Sequence, residues 1–281
     1  IIQTDTRTRK GVVGYDLTHL LVGSEGTLGV ITRLIVKLIP HPPSVKTLGA
    51  IFRDLDTAMA AVTEIQVRGN LPSAIEFMDA KCLELVKDLL PFSIPGDRAA
   101  LVIVEVDGSE EQTAASLKSI QAVLTQMGAA DILPAWDSNQ RETVWAARRQ
   151  ISIRIRDAAV FNAAEDIAVP IGKIAGLVGA LPEIENRYGL SLYAFGHAGD
   201  GNIHINITAP TMNHALVEEG IRAVFKKTLA MGGTISGEHG IGYAKKSYLS
   251  MELSPVSIEL QKGIKHLFDP NNILNPGKLF S

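Results

Sequence analysis

The sequence predicts an α+β chain in which an antiparallel sheet is covered by helices. Three observations carry this expectation. Strand-like and helix-like segments alternate through most of the 281 residues. The stretch "LSLYAFGHAGDGNIHINIT" reads as a hairpin. Glycine signatures of the kind that open βαβ units are scarce.

The elements follow in order. "GYDLTHLLVGSEGTLGVITRLIVKLIP" predicts strands at Leu21–Val22 and across Val30–Val36, because β-branched residues favour extended backbone. Pro40, Pro42 and Pro43 make a stiff linker and a domain boundary. "KTLGAIF" predicts a strand, and "DLDTAMAAVTEIQVRG" a helix capped by Asp54 and stopped at Gly69. "SAIEFMD" returns as a strand, "AKCLELVKDLL" as a helix, and "AALVIVEVDG" as a strong strand. Ser109 caps the next helix, which Gly128 ends. "AADILPAW" predicts an edge strand, 138–149 a helix, "AAEDIAVP" a strand, and "IGKIAGLVGALPEIENRYG" a helix. After the hairpin, "MNHALVEEGIRAVFKKTLAMGG" predicts a last long helix. "FDPNNILNPGKLF" predicts a tight, well-packed terminus.

Composition narrows the function. Hydrophobic residues make up 46% and charged residues 20%, the balance of a globular protein with a packed core. A net charge of −3 gives no general attraction for nucleic acid, and no apolar run reaches membrane-spanning length. The single cysteine, Cys82, cannot form an internal disulfide; it reads as a buried structural thiol in a reducing, cytoplasmic setting. "IIQTDTRTRKG" has neither an initiator Met nor a signal-peptide pattern, and reads as the interior of a larger domain.

The hairpin carries the clearest chemistry. Ile203, Ile205 and Ile207 alternate with Asn202, His204 and Asn206, so the isoleucines face a core while His204 and Asn206 share the other face. "AGDG" turns the chain and brings His197 beside His204. Two imidazoles on one polar strip suit a divalent cation, with a carboxylate as third ligand. Asp200 and Glu238 are the candidates. Asp200 sits between glycines, where Asp commonly serves turn geometry, so Glu238 is preferred. The alternative is two histidines hydrogen-bonded on a half-buried face.

"GTISGEHGIGYAKK" places Glu238 beside His239 among glycines. If Glu238 completes the cation site, His239 is left as a proton acceptor. The alternative is a turn holding a solvated pair. "GSEGTLG" offers bare backbone N–H groups to a cofactor, although it is neither a dinucleotide fingerprint nor a P-loop. Arg148 and Ser152, four apart on a helix, can clamp a small carboxylate; Arg149, Arg154 and Arg156 read as surface ion-pairing residues. Trp136 and Trp145 read as packing residues, and Lys245 and Lys246 as solvated. On residues alone, a His-His-Glu site also suits a metal-dependent hydrolase or lyase, and a non-catalytic docking subunit is a third reading.

Four motifs in order, "GYDLTHLLVGSEGTLGVIT", "FGHAGDGNIHINI", "GGTISGEHGIG" and "FDPNNILNPGK", resemble the flavin-dependent D-2-hydroxyacid dehydrogenases of the vanillyl-alcohol oxidase type, which include the glycolate oxidase flavin subunit and D-lactate dehydrogenase. The resemblance implies the end of an FAD-binding domain over residues 1–43, a substrate-binding cap domain over 44–265, and a return to the FAD-binding domain over 266–281. It implies FAD lined by Gly23, Ser24, Glu25, Gly26 and Gly29, with Asn275 a further contact. It implies a divalent metal on His197, His204 and Glu238, zinc first, with manganese and iron as alternatives. His239 would be the catalytic base; Arg148, Ser152 and Asn206 would hold a small 2-hydroxy acid. Some relatives carry a lysine before the strand ending in "VP", where this chain has Ala163 and Ala164. The implied electron acceptor is an iron–sulfur or other partner subunit, through which the protein would sit peripherally at a membrane.

Overall fold

The computed structural model describes residues 1–280 apart from Asp5, Arg9 and Met212. The opening stretch expected to be domain interior therefore lies partly outside the described residues, as does Met212 at the expected start of the last long helix. The chain divides into two compact units, one of Ile1–Pro40 with His239–Ser281, the other His41–Glu238.

The His41–Glu238 unit has the expected α+β form. Its described residues form seven strands, β1 (Ser44–Phe52), β2 (Ala74–Met78), β3 (Ala100–Gly108), β4 (Asp131–Ala135), β5 (Phe161–Ala168), β6 (Ser191–His197) and β7 (Asn202–Ala209). They form one sheet in the order β4-β1-β3-β2-β6-β7-β5, and every pairing is antiparallel. Leaving α1 for the other unit, its helices are α2 (Leu55–Val67), α3 (Ala80–Leu85), α4 (Glu110–Gln126), α5 (Ser138–Ala158), α6 (Ile174–Tyr188) and α7 (His214–Ala230).

Local chemistry sets the boundaries. The Asp54 side chain accepts the Thr57 amide at the start of α2, and Gly69 beyond its end has a φ of 78°. Ser109 and Gln112 form a reciprocal capping box on α4. β4 lies at the sheet edge as its sequence suggested, pairing with β1 alone. The expected 138–149 helix continues to Ala158, because Val144, Ala147, Ile151 and Ile155 repeat a buried stripe along α5. The expected 80–90 helix stops at Leu85, followed by a single tight turn over Lys87–Leu89.

Both faces of the sheet are covered. On one, Met78, Ile103 and Phe195 pack against the α5 stripe and against Cys82 and Leu83 of α3. On the other, Ile203, Ile205 and Ile207 are fully buried where α6 and α7 lie on β6 and β7. Cys82 is buried, and burial pushes its thiol well above the ordinary range, as befits an inert packing residue.

The Ile1–Pro40 and His239–Ser281 unit contains α1 (Leu17–Leu21), α8 (Leu249–Glu252) and α9 (Pro255–Phe268). Here the sequence expectation fails. Leu21 ends a helix capped by Asp16, and Val30–Val36 is not a strand. A strand exists only as half of a pair, and among the described residues this run has no partner: Val30, Leu34 and Val36 are exposed. No element is expected from the sequence over residues 249–268, yet α9 forms there, capped by Ser254 with Pro255 in its first turn. Lys245, expected to be solvated, is 6% exposed. Lys246 donates to the Gly277 carbonyl. The first unit resumes at His239, whereas the sequence reading carried the middle domain to residue 265. No helix among the described residues is long and apolar enough to cross a membrane.

Ile205→Ala empties a fully enclosed site and is expected to cost about 2–5 kcal/mol, while Ser109→Ala removes one cap and costs about 1 kcal/mol; urea unfolding followed by circular dichroism measures both. The Asp269 carboxyl is held down at about 2: burial opposes its charge, but the Lys265 ammonium and the Leu274 and Ile273 amides outweigh burial. Its contribution to stability is present above the ordinary Asp value, and acid titration of the unfolding midpoint should show it lost as pH falls from about 4 towards 2. Asp269→Asn should remove that component.

Candidate metal and substrate site

The site grows out of the β6–β7 hairpin. Register places His197 opposite Asn202, Phe195 opposite His204 and Tyr193 opposite Asn206, so these six side chains share one face of the sheet. His197 and His204 are diagonal neighbours there, with ring centroids 5.3 Å apart. The hairpin turns at Gly201, where φ is 86° and a Cβ would lie 2.0 Å from the Val169 carbonyl oxygen. Asp200 Oδ1 accepts the Asn202 amide, a turn-forming role that takes it away from ligation.

Glu238 arrives from the segment that follows α7. Thr234 bridges back to Ala168 at the end of β5. The Glu238 amide then donates to Asp166 Oδ2 at 2.7 Å. Gly237 must approach β7 closely, because a Cβ there would sit 1.9 Å from Asn202 Nδ2. The glycine preceding the acid is thus a steric requirement: it lets the Glu238 backbone reach a buried carboxylate.

His197, His204 and Glu238 each offer a ligand atom, and these atoms lie within 4.8 Å of one another. His197 Nε2 is 3.1 Å from Glu238 Oε1, while its Nδ1 is hydrogen-bonded to Glu76 Oε1. With the ring proton on Nδ1, two lone pairs face each other across that 3.1 Å. A proton or a metal cation between them satisfies both. His204 Nδ1 lies 3.8 Å from Asp166, which has no exposed surface. Burial, together with the positive charge of Arg148 and the neighbouring His197, holds the His204 pKa below the ordinary value, keeping the ring in its neutral, ligating form. The donor set fits a divalent cation.

Arg148 projects from α5 into the same region. Its Nε donates to Glu76 Oε2 at 2.6 Å, and its guanidinium lies 4.8 Å over the Phe195 ring. Among the described residues, neither Nη is hydrogen-bonded. Ser152, one turn further along α5, is exposed, and Asn206 is buried on the strip two residues beyond His204. Arg149 and Arg154 pair with Glu142 and Asp88. A cavity of about 280 Å³ adjoins Glu76 and His197, lined further by Gln66, Ser73 and Asp200.

Two residues escaped the sequence reading. Asp166 accepts the Asn202 side-chain amide at 2.8 Å as well as the Glu238 backbone, tying β5, β7 and the Glu238 segment together. Glu76 is 4% exposed. Glu76 is a lone acid inside an otherwise apolar strand, which is the signal that would find it; Asp166 stands beside Glu165 in β5, so its sequence neighbourhood does not single it out.

His239 is exposed and belongs to the other unit, as do the glycine-loop residues. Within that unit Glu25, at a φ of 52°, accepts the Ile241 and Gly242 amides through its two carboxylate oxygens, and its carbonyl accepts Asn275 Nδ2 at 3.0 Å. A Cβ on Gly26 would collide with Asn275 Nδ2 at 2.6 Å. Gly23 has a φ of 80° with open space where a Cβ would stand, so a flat ligand can approach its backbone. The loop, the segment after His239 and the terminal "NPGK" are therefore one assembly.

Comparison with known proteins identifies the family. The model of "FAD linked oxidases, C-terminal domain" matches residues 41–279. The chain belongs to this family. It is 38% identical over its whole length to the glycolate oxidase subunit GlcD of Bacillus subtilis, covering 60% of that protein. It is 37% identical to a D-lactate dehydrogenase of Archaeoglobus fulgidus, over 99% of this chain and 61% of the relative. To the mitochondrial D-2-hydroxyglutarate dehydrogenase of Rattus norvegicus it is 34% identical, over 99% of this chain and 52% of the relative. The chain thus spans roughly three fifths or less of these relatives. Among solved structures, alkyldihydroxyacetonephosphate synthase aligns with a TM-score of 0.67 at 18% identity, over 95% of this chain and 50% of that one. The 4-ethylphenol oxidase of Gulosibacter chungangensis aligns at 0.66 and 17%, over 96% and 60%. These two likenesses show a shared fold.

In the metal-free chain, the depressed His204 pKa has a definite sign. Above the ordinary histidine value of about 6.5 both folded and unfolded rings are neutral; below it the unfolded chain takes up the proton first. Stability should therefore fall as pH drops through that value, and His204→Asn should flatten the dependence in urea midpoints measured from neutral to mildly acidic pH.

Proposed function

We propose that this chain is the C-terminal portion of an FAD-dependent oxidoreductase that converts a small D-2-hydroxy acid to the 2-oxo acid. The single observation that carries the reading is the convergence of His197, His204 and Glu238, with Arg148 bonded to Glu76 beside His197 and its Nη atoms without a hydrogen bond among the described residues. Relatives named for glycolate, D-lactate and D-2-hydroxyglutarate support the class of acid.

A divalent cation held by His197, His204 and Glu238 would supply Lewis acidity, and bound FAD would supply the two-electron acceptor. Every other role falls to side chains. Arg148 presents its Nη atoms to the substrate carboxylate, with Ser152 and Asn206 as further polar contacts. His239 follows Glu238 directly in the chain and accepts the hydroxyl proton as hydride leaves the α-carbon. The hydride carries both electrons lost by the acid, and the proton passes to His239. Gly23, Ser24, Glu25, Gly26 and Gly29 would line the cofactor, and the Glu25 carboxylate, which accepts two amides, shapes the loop. The Ile1–Pro40 and His239–Ser281 residues are read as flavin-domain elements, and His41–Glu238 as the substrate-binding cap. Electrons would leave to a partner subunit or another acceptor.

The test uses the whole natural protein that contains this sequence, loaded with FAD. Glycolate, D-lactate and D-2-hydroxyglutarate are offered with an artificial electron acceptor. At least one should bleach the flavin band and turn over; failure of all three to do either overturns the reading. His239→Ala should lower kcat by about 100- to 10,000-fold. Zinc uptake by this chain, followed by calorimetry, should be abolished by His204→Ala and by Glu238→Ala.

A further inference from the structure

We infer that Glu76 is a positioning residue for the candidate metal centre: held by Arg148, it fixes the His197 ring with its proton on Nδ1, so that Nε2 is the nitrogen presented to the cation. The inference rests on the metal reading above and adds a residue to it.

Four observations converge. Register sets Glu76 of β2 directly opposite His197 of β6, so both side chains rise from the same face. Glu76 is 4% exposed, and its two oxygens are divided between two partners. Oε2 receives Arg148 Nε at 2.6 Å, and Oε1 receives His197 Nδ1. His197 Nε2 then points to Glu238 Oε1 at 3.1 Å.

The chemistry follows from donor count. An ionised carboxylate only accepts, so the nitrogen facing Glu76 must carry the proton. The opposite nitrogen then has a free lone pair directed at Glu238. Carboxylates commonly stand behind ligating histidines in this way and orient the ring. A buried carboxylate without a cation would be costly, and Arg148 offsets its charge. Arg148 thus has two jobs at different atoms: Nε secures Glu76, and the Nη pair is left for a ligand. His204 has an acid behind it as well, with Asp166 3.8 Å from its Nδ1.

Two measurements on this chain test the role. Ring nitrogen NMR of the metal-free wild type, above the ordinary histidine titration range, should report His197 protonated on Nδ1; a proton on Nε2 would overturn the inference. Calorimetry with Zn²⁺ should show Glu76→Gln weakening affinity about 10- to 100-fold, and Glu76→Asp recovering part of the loss. Unchanged affinity in a folded Glu76→Gln variant would also overturn it. Should that variant fail to fold, the wild-type NMR result still decides. Wild type that takes up no zinc would sink the metal reading itself, and with it the purpose assigned to Glu76, while the ring spectrum separately reports which nitrogen Glu76 holds.

Discussion

The site depends on how one buried carboxylate is satisfied. Asp166 has no exposed surface, and an acid in that position is tolerated only when donors converge on it. The Asn202 side chain and the Glu238 backbone supply two such donors. Those bonds join β5, the start of β7 and a segment more than seventy residues downstream of β5 in sequence. The position of Glu238 is therefore set by the electrostatics of Asp166, with Gly237 providing the clearance.

Glu76 solves the same problem differently. It borrows a cation, Arg148, from α5 and an imidazole from β6. Both acids lie in strands, where backbone hydrogen bonds fix Cα positions closely and leave little freedom for the side chains they hold. Strand-borne acids behind hairpin-borne histidines make a more rigid frame than a loop could provide.

Much of the fold was legible because its signals are local. Alternation in "NIHINI", the Ser109 cap and the stops at Gly69 and Gly128 each act within a few residues, and the structure has them all. The proximity of His197 and His204 was legible for the same reason: a hairpin is a local object. Val30–Val36 misled because β-propensity states a preference, while strand formation needs a partner that the sequence of the run does not contain. The burial of Lys245 and the supports Glu76 and Asp166 were hidden for a related reason. Their meaning lies in neighbours 121 residues away for Glu76 and 72 for Asp166. The resemblance implies that Gly23, Ser24, Glu25, Gly26 and Gly29 line a cofactor; that the Glu25 carboxylate also clasps the 241–242 amides depends on residues more than two hundred positions away.

The stretch from Val30 to Ile39 has a practical consequence for handling. Seven of its ten residues are large and apolar, those seven are all exposed, and its amides have no ladder to join among the described residues. An exposed apolar run of high β-propensity can recruit other chains. A preparation of this chain by itself should grow turbid as it is concentrated, and lysine or proline introduced along the run would be the first remedy to try.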